Sequence, residues 1–100
     1  MRDQSLPSSF DENHCLILFA LEPEGDEFVE FSRIKADRLG LEKREFLRMC
    51  RESRDMGFAV LSPTYNTDTG HPCGSAYVRT DRGYAALKAW RYRHAKTNQN

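Results

Sequence analysis

The residues of this chain that could perform chemistry are few, and their spacing builds no catalytic or metal site. Cys15, Cys50 and Cys73 lie far apart, which is the pattern of neither a disulfide framework nor a zinc site. His71 stands near Cys73, but two ligands do not hold a zinc ion. We therefore expect no metal and no other cofactor.

Carboxylates and glycines give no better case for an enzyme. Asp26 and Glu27 follow Gly25 in a segment typical of an exposed turn, where such charges are normally solvated. Gly70 and Gly74 have the spacing of turn residues, not that of a phosphate-binding loop. Serine, histidine and aspartate occur without a nucleophile-elbow motif. The sequence thus predicts a protein that is not an enzyme.

The strongest side-chain pattern is a basic amphipathic helix predicted from about Glu42 to Met56. Its predicted buried face, from spacings of three and four, is Phe46, Met49, Cys50 and Ser53. Its other face carries Lys43, Arg44, Leu47, Arg48, Arg51 and Arg54. Acids are interleaved with these bases, and several stand three or four residues away from one. A nucleic-acid-binding face and a salt-bridged face exposed to solvent both remain open.

Two helices are expected before this one. Ser9 and Glu12 have the spacing of a capping box, so a first helix should begin near residue 10 and stop before Pro23. A buried strand is the alternative for its apolar run, Cys15 to Leu21. Residues 28–31 favour a short strand. Ser32 should then cap a helix over residues 33–39 that a glycine at position 40 ends.

A hairpin and a last helix are expected after the basic helix. A strand is predicted over residues 58–61, a long loop from Ser62 to Ser75, and a returning strand over residues 76–79. Thr80 should cap the last helix, which we expect to fray after Tyr92. The apolar side chains of that helix are Tyr84, Leu87 and either Ala89 or Trp90.

Acidic and basic residues are divided unevenly along the 100-residue chain. Residues 1–31 hold one base and eight acids, whereas residues 32–100 hold fourteen bases and seven acids, so the net charge is zero. Such asymmetry favours a nucleic-acid partner, although ordinary charge scatter also produces it. The length predicts one domain, over residues 9–92, with disordered tails at 1–8 and 93–100. The longest apolar run is too short to span a bilayer and no signal-peptide pattern is present, so we expect a cytoplasmic protein.

The order of these elements resembles that of winged helix-turn-helix proteins, and most of all the MarR-like and related bacterial or phage regulators. The matching motifs are Ala36 four residues before Gly40, Leu39-Gly40-Leu41, Met56-Gly57-Phe58 and Thr80-Asp81-Arg82-Gly83. The resemblance implies a mainly α fold with a small β-hairpin (α+β). The chain departs from the family at Lys35, where an aliphatic is usual, so Ile34 is expected to supply the core contact. It also has no lysine or arginine between positions 62 and 75.

The resemblance implies a transcriptional regulator that lays the helix over residues 42–56 in the major groove of double-stranded DNA. The predicted DNA-binding residues are Ser32, Arg33, Lys43, Arg44, Arg48, Arg51 and Arg54. A homodimer held by the terminal helices is expected, because one module binds DNA weakly and those helices are rich in apolar residues. The alternative is a winged-helix module that binds a protein partner and no DNA, supported by the zero net charge and an exposed Leu47.

Overall fold

The computed structural model describes residues 6–66 and 68–97 as an α+β fold of four helices and an antiparallel hairpin. The elements are α1 (Glu12–Ala20), α2 (Ser32–Leu39), α3 (Lys43–Asp55), β1 (Ala59–Tyr65), β2 (Pro72–Arg79) and α4 (Asp81–Thr97). The predicted order of the four helices and the hairpin is therefore confirmed, while the strand predicted over residues 28–31 does not form and several boundaries differ. Residues 1–5 and 98–100 of the two predicted tails lie outside the described residues.

The first helix is capped two residues later than predicted. The Asp11 carboxylate accepts a hydrogen bond from the His14 N–H, and the His14 ring accepts one from the Asp11 N–H. Ser9 does not form the predicted box, because Phe10 turns into the core, where it is 4% exposed, and the helix begins after it. The apolar run that follows is helical, so the alternative of a buried strand is wrong.

Some residues of both predicted tails belong to the described fold. Leu6 packs against the hydrophobic core, so residues 6–8 belong to the fold. At the other end α4 continues past Tyr92 and includes residues 93–97. No glycine or proline follows position 83 to stop the helix, and the ring of His94 stacks on that of Trp90 at 4.1 Å.

The core lies between α1, α3, α4 and the base of the hairpin. The predicted buried face of α3 is confirmed, since all four of its members are buried. Around them pack side chains of the other elements, including Ile17, Leu18, Phe58, Tyr77 and Leu87. Phe10 joins the ends of the fold through edge-to-face contacts with Phe58 at 5.5 Å and Trp90 at 5.7 Å. One core thus fixes α3 against α1 and the hairpin.

The hairpin is longer than predicted. β1 pairs with β2 from Ala59 opposite Arg79 to Tyr65 opposite Pro72, so the expected loop over residues 62–75 is wrong. Its prolines and glycines suggested a loop. However, proline is tolerated in strands that have a free edge, and Pro63 pairs in register with Ser75. Residues 66–71 link the two strands.

Two expectations about the segment before α3 are also wrong. Residues 28–31 form no strand; instead, Pro23 makes an isolated parallel bridge with Arg79. Lys35 is 1% exposed, whereas Ile34 is 45% exposed and does not supply the core contact. Lys35 enters the interior because its ammonium group forms an ion pair with the Glu22 carboxylate there. Paired charge makes burial of a lysine tolerable.

Candidate nucleic-acid interface

The turn between α2 and α3 sets the geometry of the candidate site. Gly40 ends α2 in the left-handed region, at φ 73°, which glycine adopts without steric cost. The Leu41 N–H bonds the Ala36 carbonyl at 2.9 Å, and the Gly40 N–H bonds the Asp37 carbonyl at 3.1 Å, which is a Schellman motif. The predicted glycine stop is confirmed, and α3 leaves the turn packed against α2.

Neither helix of this pair has a side-chain cap at its N-terminus. The N-cap of α2 is Phe31, which makes no side-chain cap bond, and the N-cap of α3 is Glu42, which makes none either. The predicted cap at Ser32 is wrong, since this serine is the first helical residue and is buried. Uncapped N–H groups and the positive end of the helix dipole favour anions such as phosphate.

The two N-termini border one groove, which we call the basic groove. It has a volume of about 410 Å³ and is lined by Phe31, Ser32, Arg33, Ile34, Lys43, Leu47 and Ser75. Leu47 is half-buried and packs against the core, so the expectation that it is exposed is wrong. Sequence reasoning missed Ser75, because it placed this residue in a loop, whereas β2 carries it to the groove.

Acids and bases that alternate in the sequence of α3 are separated on its surface. On one side Glu52 accepts a hydrogen bond from the buried His14 ring at 2.8 Å, and Glu45 lines a groove beside α1. The Asp11 N–H needs an acceptor at Nδ1 of His14, so Nε2 is assigned as the donor to Glu52. On the other side Lys43 faces the basic groove.

Arg48 forms ion pairs with Glu45 and Glu52. Its guanidinium group bonds Glu45 three residues earlier and Glu52 at 2.6 Å four residues later. The hydrogen bond to Glu45 and the charges of both acids raise the pKa of Arg48. The same bond lowers the pKa of Glu45. The charge of Arg48 is thus largely neutralised, as the salt-bridged alternative for this helix expected.

The other predicted contact residues fall into two groups. Arg54 is paired, because it bonds Asp55 at 3.0 Å and the Tyr77 hydroxyl at 3.4 Å, and the bond to Asp55 raises its pKa. Four exposed bases make no ion pair with any described residue; they are Arg33, Lys43, Arg44 and Arg51. These four surround the start and the outer face of α3. They can attract an anion without first breaking an ion pair.

Two features are absent from the described part of the chain. No group of three or more histidine, cysteine or acidic side chains gathers there to hold a metal ion. None of the described helices is both long and apolar enough to cross a membrane.

The fold and the site define a small α+β protein in which two helices, joined by a left-handed glycine turn, present a basic surface beside a hairpin. Comparisons with family models, with curated proteins and with solved structures find no match for the chain.

Proposed function

We propose that the chain is a winged helix-turn-helix regulator that binds double-stranded DNA with α3 in the major groove. The observation that carries the proposal is that the acids of α3 are engaged in bonds, whereas some of its bases are not. Its acids Glu45 and Glu52 bond Arg48 and α1, while Arg44 and Arg51 keep no acidic partner among the described residues. Unpaired bases release counterions from DNA when they neutralise phosphates, which favours binding.

The uncapped helix starts support the same proposal. Arg33 stands in the first turn of α2, and Lys43 is the first residue of α3. Both line the basic groove, where the dipoles of two helices add to their charge. Phosphates bound there would position the helix, and side chains on the outer face of α3 would read base edges. The hairpin tip, which has no lysine or arginine from 62 to 75, plays no part in gripping phosphate.

A homodimer belongs to this proposal. Leu16 is 51% exposed and Phe19 is 63% exposed on α1, beside a groove of about 420 Å³ that Trp90 also lines. The rim of this face carries both signs of charge, with Glu12 and Arg91 among its members. A surface with mixed charges can pair with a copy of itself about a two-fold axis. Such a pair would present two α3 helices to neighbouring half-sites.

A protein-binding module without DNA binding remains the second candidate. The observation that favours it is the neutralisation of Arg48, which stands near the middle of the outer face of α3. In that case the exposed aromatic side chains, such as Phe28 and Phe31, would carry the function.

The salt dependence of DNA binding distinguishes the two. The probe is a mixed-sequence duplex of roughly 20 base pairs, about two helical turns, titrated in fluorescence anisotropy from low to high salt. Replacing both Arg44 and Arg51 by Gln should lower the salt slope by about 0.9 for each phosphate that the variant no longer neutralises. Arg48→Gln should change the slope less, since Arg48 is already paired.

Arg38→Gln is the matched control, because Arg38 is an exposed arginine on α2 whose partner Glu30 holds it away from the basic groove. Because the control removes one charge and the Arg44/Arg51 change removes two, a control effect half as large would show that the binding depends only on net charge. No binding by the native protein even at low salt would refute the proposal and leave the protein-binding module.

A further inference from the structure

A second groove lies between the segment before α2 and the hairpin, and we call it the acidic groove. Its volume is about 850 Å³, and it is lined by residues 25–31, Ile34, residues 62–66 and Gly70. Its walls expose apolar surface, since Phe28 is 69% exposed, Phe31 47% and Tyr65 50%. The lining includes three acids and no lysine or arginine.

The loop that forms one wall is held in place at Glu30. The Glu22 carboxylate accepts a hydrogen bond from the Glu30 N–H at 3.0 Å, and the buried Lys35 ammonium donates to the Glu30 carbonyl at 2.9 Å. The Glu30 side chain pairs with Arg38 at 2.8 Å. These bonds fix the backbone between Phe28 and Phe31, whose side chains are exposed. They also leave Asp26 and Glu27 as the acids in the lining without a described basic partner.

The charge of the acidic groove decides what can cover it. A two-fold contact of this groove with its own copy would bring like charges together, which is unfavourable. The α1–α4 face, with its mixed rim, has no such restriction. The occupant of the acidic groove therefore has to be basic and has to bring apolar or aromatic groups.

This chain carries such a segment at residues 91–97, which we call the tail segment. It holds Arg91, Arg93 and Lys96 together with Tyr92, and the sequence has no acid after position 81. The side chains of residues 91–94 are exposed on the last turns of α4. Within one chain α4 packs against α1, where Arg91 lies over the Phe19 ring at 5.4 Å. The described lining of the acidic groove includes no residue of either helix.

We propose that the tail segment of one copy docks in the acidic groove of a second copy. Bases of the tail segment then neutralise Asp26 and Glu27, and its aromatic ring packs against those of the groove. Because the two surfaces differ, the contact is head-to-tail and can add further copies instead of closing at two. This proposal does not depend on DNA binding by α3.

Sedimentation velocity of the full chain without DNA tests the proposal by charge exchange. The native protein should form species larger than a dimer at low salt and lose them at high salt, because exposed charges are screened. Reversing the groove charge with Asp26→Lys and Glu27→Lys should weaken this association about tenfold or more. Arg93→Glu with Lys96→Glu should do the same. A chain carrying all four changes should associate again.

The control is Asp37→Lys with Glu42→Lys, which changes the net charge equally at exposed positions outside the acidic groove. Circular dichroism establishes that each variant is folded. The proposal is overturned by a native protein that forms nothing larger than a dimer, or by a control that weakens association as much as the groove change. It is also overturned by a folded four-fold variant that fails to associate.

Discussion

Gly83 offers the sharpest test of how the hairpin and α4 are joined. It lies in the first turn of α4 and is buried. A Cβ added there would stand 2.2 Å from the Phe58 carbonyl oxygen and 3.0 Å from its carbon. These are backbone atoms, so no rotamer change relieves the overlap. The same oxygen accepts the Thr80 N–H at 3.0 Å, and moving it would disturb the start of the helix.

Two effects of Gly83→Ala oppose each other. Alanine is preferred over glycine in a helix by about 1 kcal/mol, and by that effect alone the variant would be more stable. Forcing an extra methyl group into a packed site costs typically about 1–3 kcal/mol. Because the obstacle is backbone, we expect the upper part of that range and a net loss of about 1–2 kcal/mol. For a domain of this size the melting temperature should fall by roughly 4–8 °C per kcal/mol.

Urea unfolding, followed by the fluorescence of Trp90, measures the change in the free energy of unfolding. An unchanged m value indicates that the substitution changed only the stability. Ala85→Gly is the matched control, because Ala85 is exposed on the same helix. It should lose about 1 kcal/mol through propensity alone. Opposite substitutions two residues apart should therefore both destabilise. A Gly83→Ala variant as stable as the native protein, or more so, would refute the close approach of α4 to Phe58.

Three further predictions concern buried or paired groups. Cys50→Ser should lower the free energy of unfolding by about 1–3 kcal/mol. Burial raises the pKa of Cys50 to about 12, so a thiol reagent should label the exposed Cys73 first. Rapid labelling of Cys50 in the native protein would contradict this prediction. Lys35→Met should lower the free energy of unfolding by about 3 kcal/mol, because it leaves the Glu22 carboxylate unpaired. Adding Glu22→Gln should restore part of the lost stability. A double variant that is no more stable than Lys35→Met would contradict the ion pair. The hydrogen bond from His14, followed by the charge of Arg48, lowers the pKa of Glu52 below 4.5, so its contribution to stability is present above that pH and is lost as the pH falls through the lowered value. The urea midpoint of the Glu52→Gln variant should therefore depend less on pH below 4.5 than that of the native protein. If the two midpoints change with pH in parallel, the hydrogen bond from His14 to Glu52 does not stabilise the fold.

Local rules predicted where α2 and α3 end and which face of α3 is buried, because the signals for these features are local. Gly40 and Gly57 stand after apolar periods of three and four, and both adopt the left-handed conformation that ends a helix. The buried face of α3 followed from the same periodicity. Thr80 was predicted to cap α4, and its hydroxyl accepts the Gly83 N–H at 3.0 Å.

The errors arose where contacts distant in sequence outweighed local preference. Lys35 looked unsuited to a core, and only its partner Glu22, thirteen positions earlier, makes its burial tolerable. Pro63 looked like a loop residue, although strand pairing with β2 retains it. Phe10 looked like the first residue of a helix until its contacts with Phe58 and Trp90 drew it inward. Each of these residues has its partner twelve or more positions away in the sequence.

The zero net charge is likewise a poor guide to partners, because folding sorts the charges by surface. Phe31 and Ile34 line both the basic and the acidic groove, so the two grooves adjoin at the start of α2. At about 0.1 M salt charges act over roughly 10 Å, so those acids of the acidic groove that lie within this distance of the basic groove oppose a phosphate there. A tail segment docked in the acidic groove would cancel that repulsion. A coupling between two sites is reciprocal, so head-to-tail association would strengthen DNA binding by the same factor as DNA binding would strengthen association.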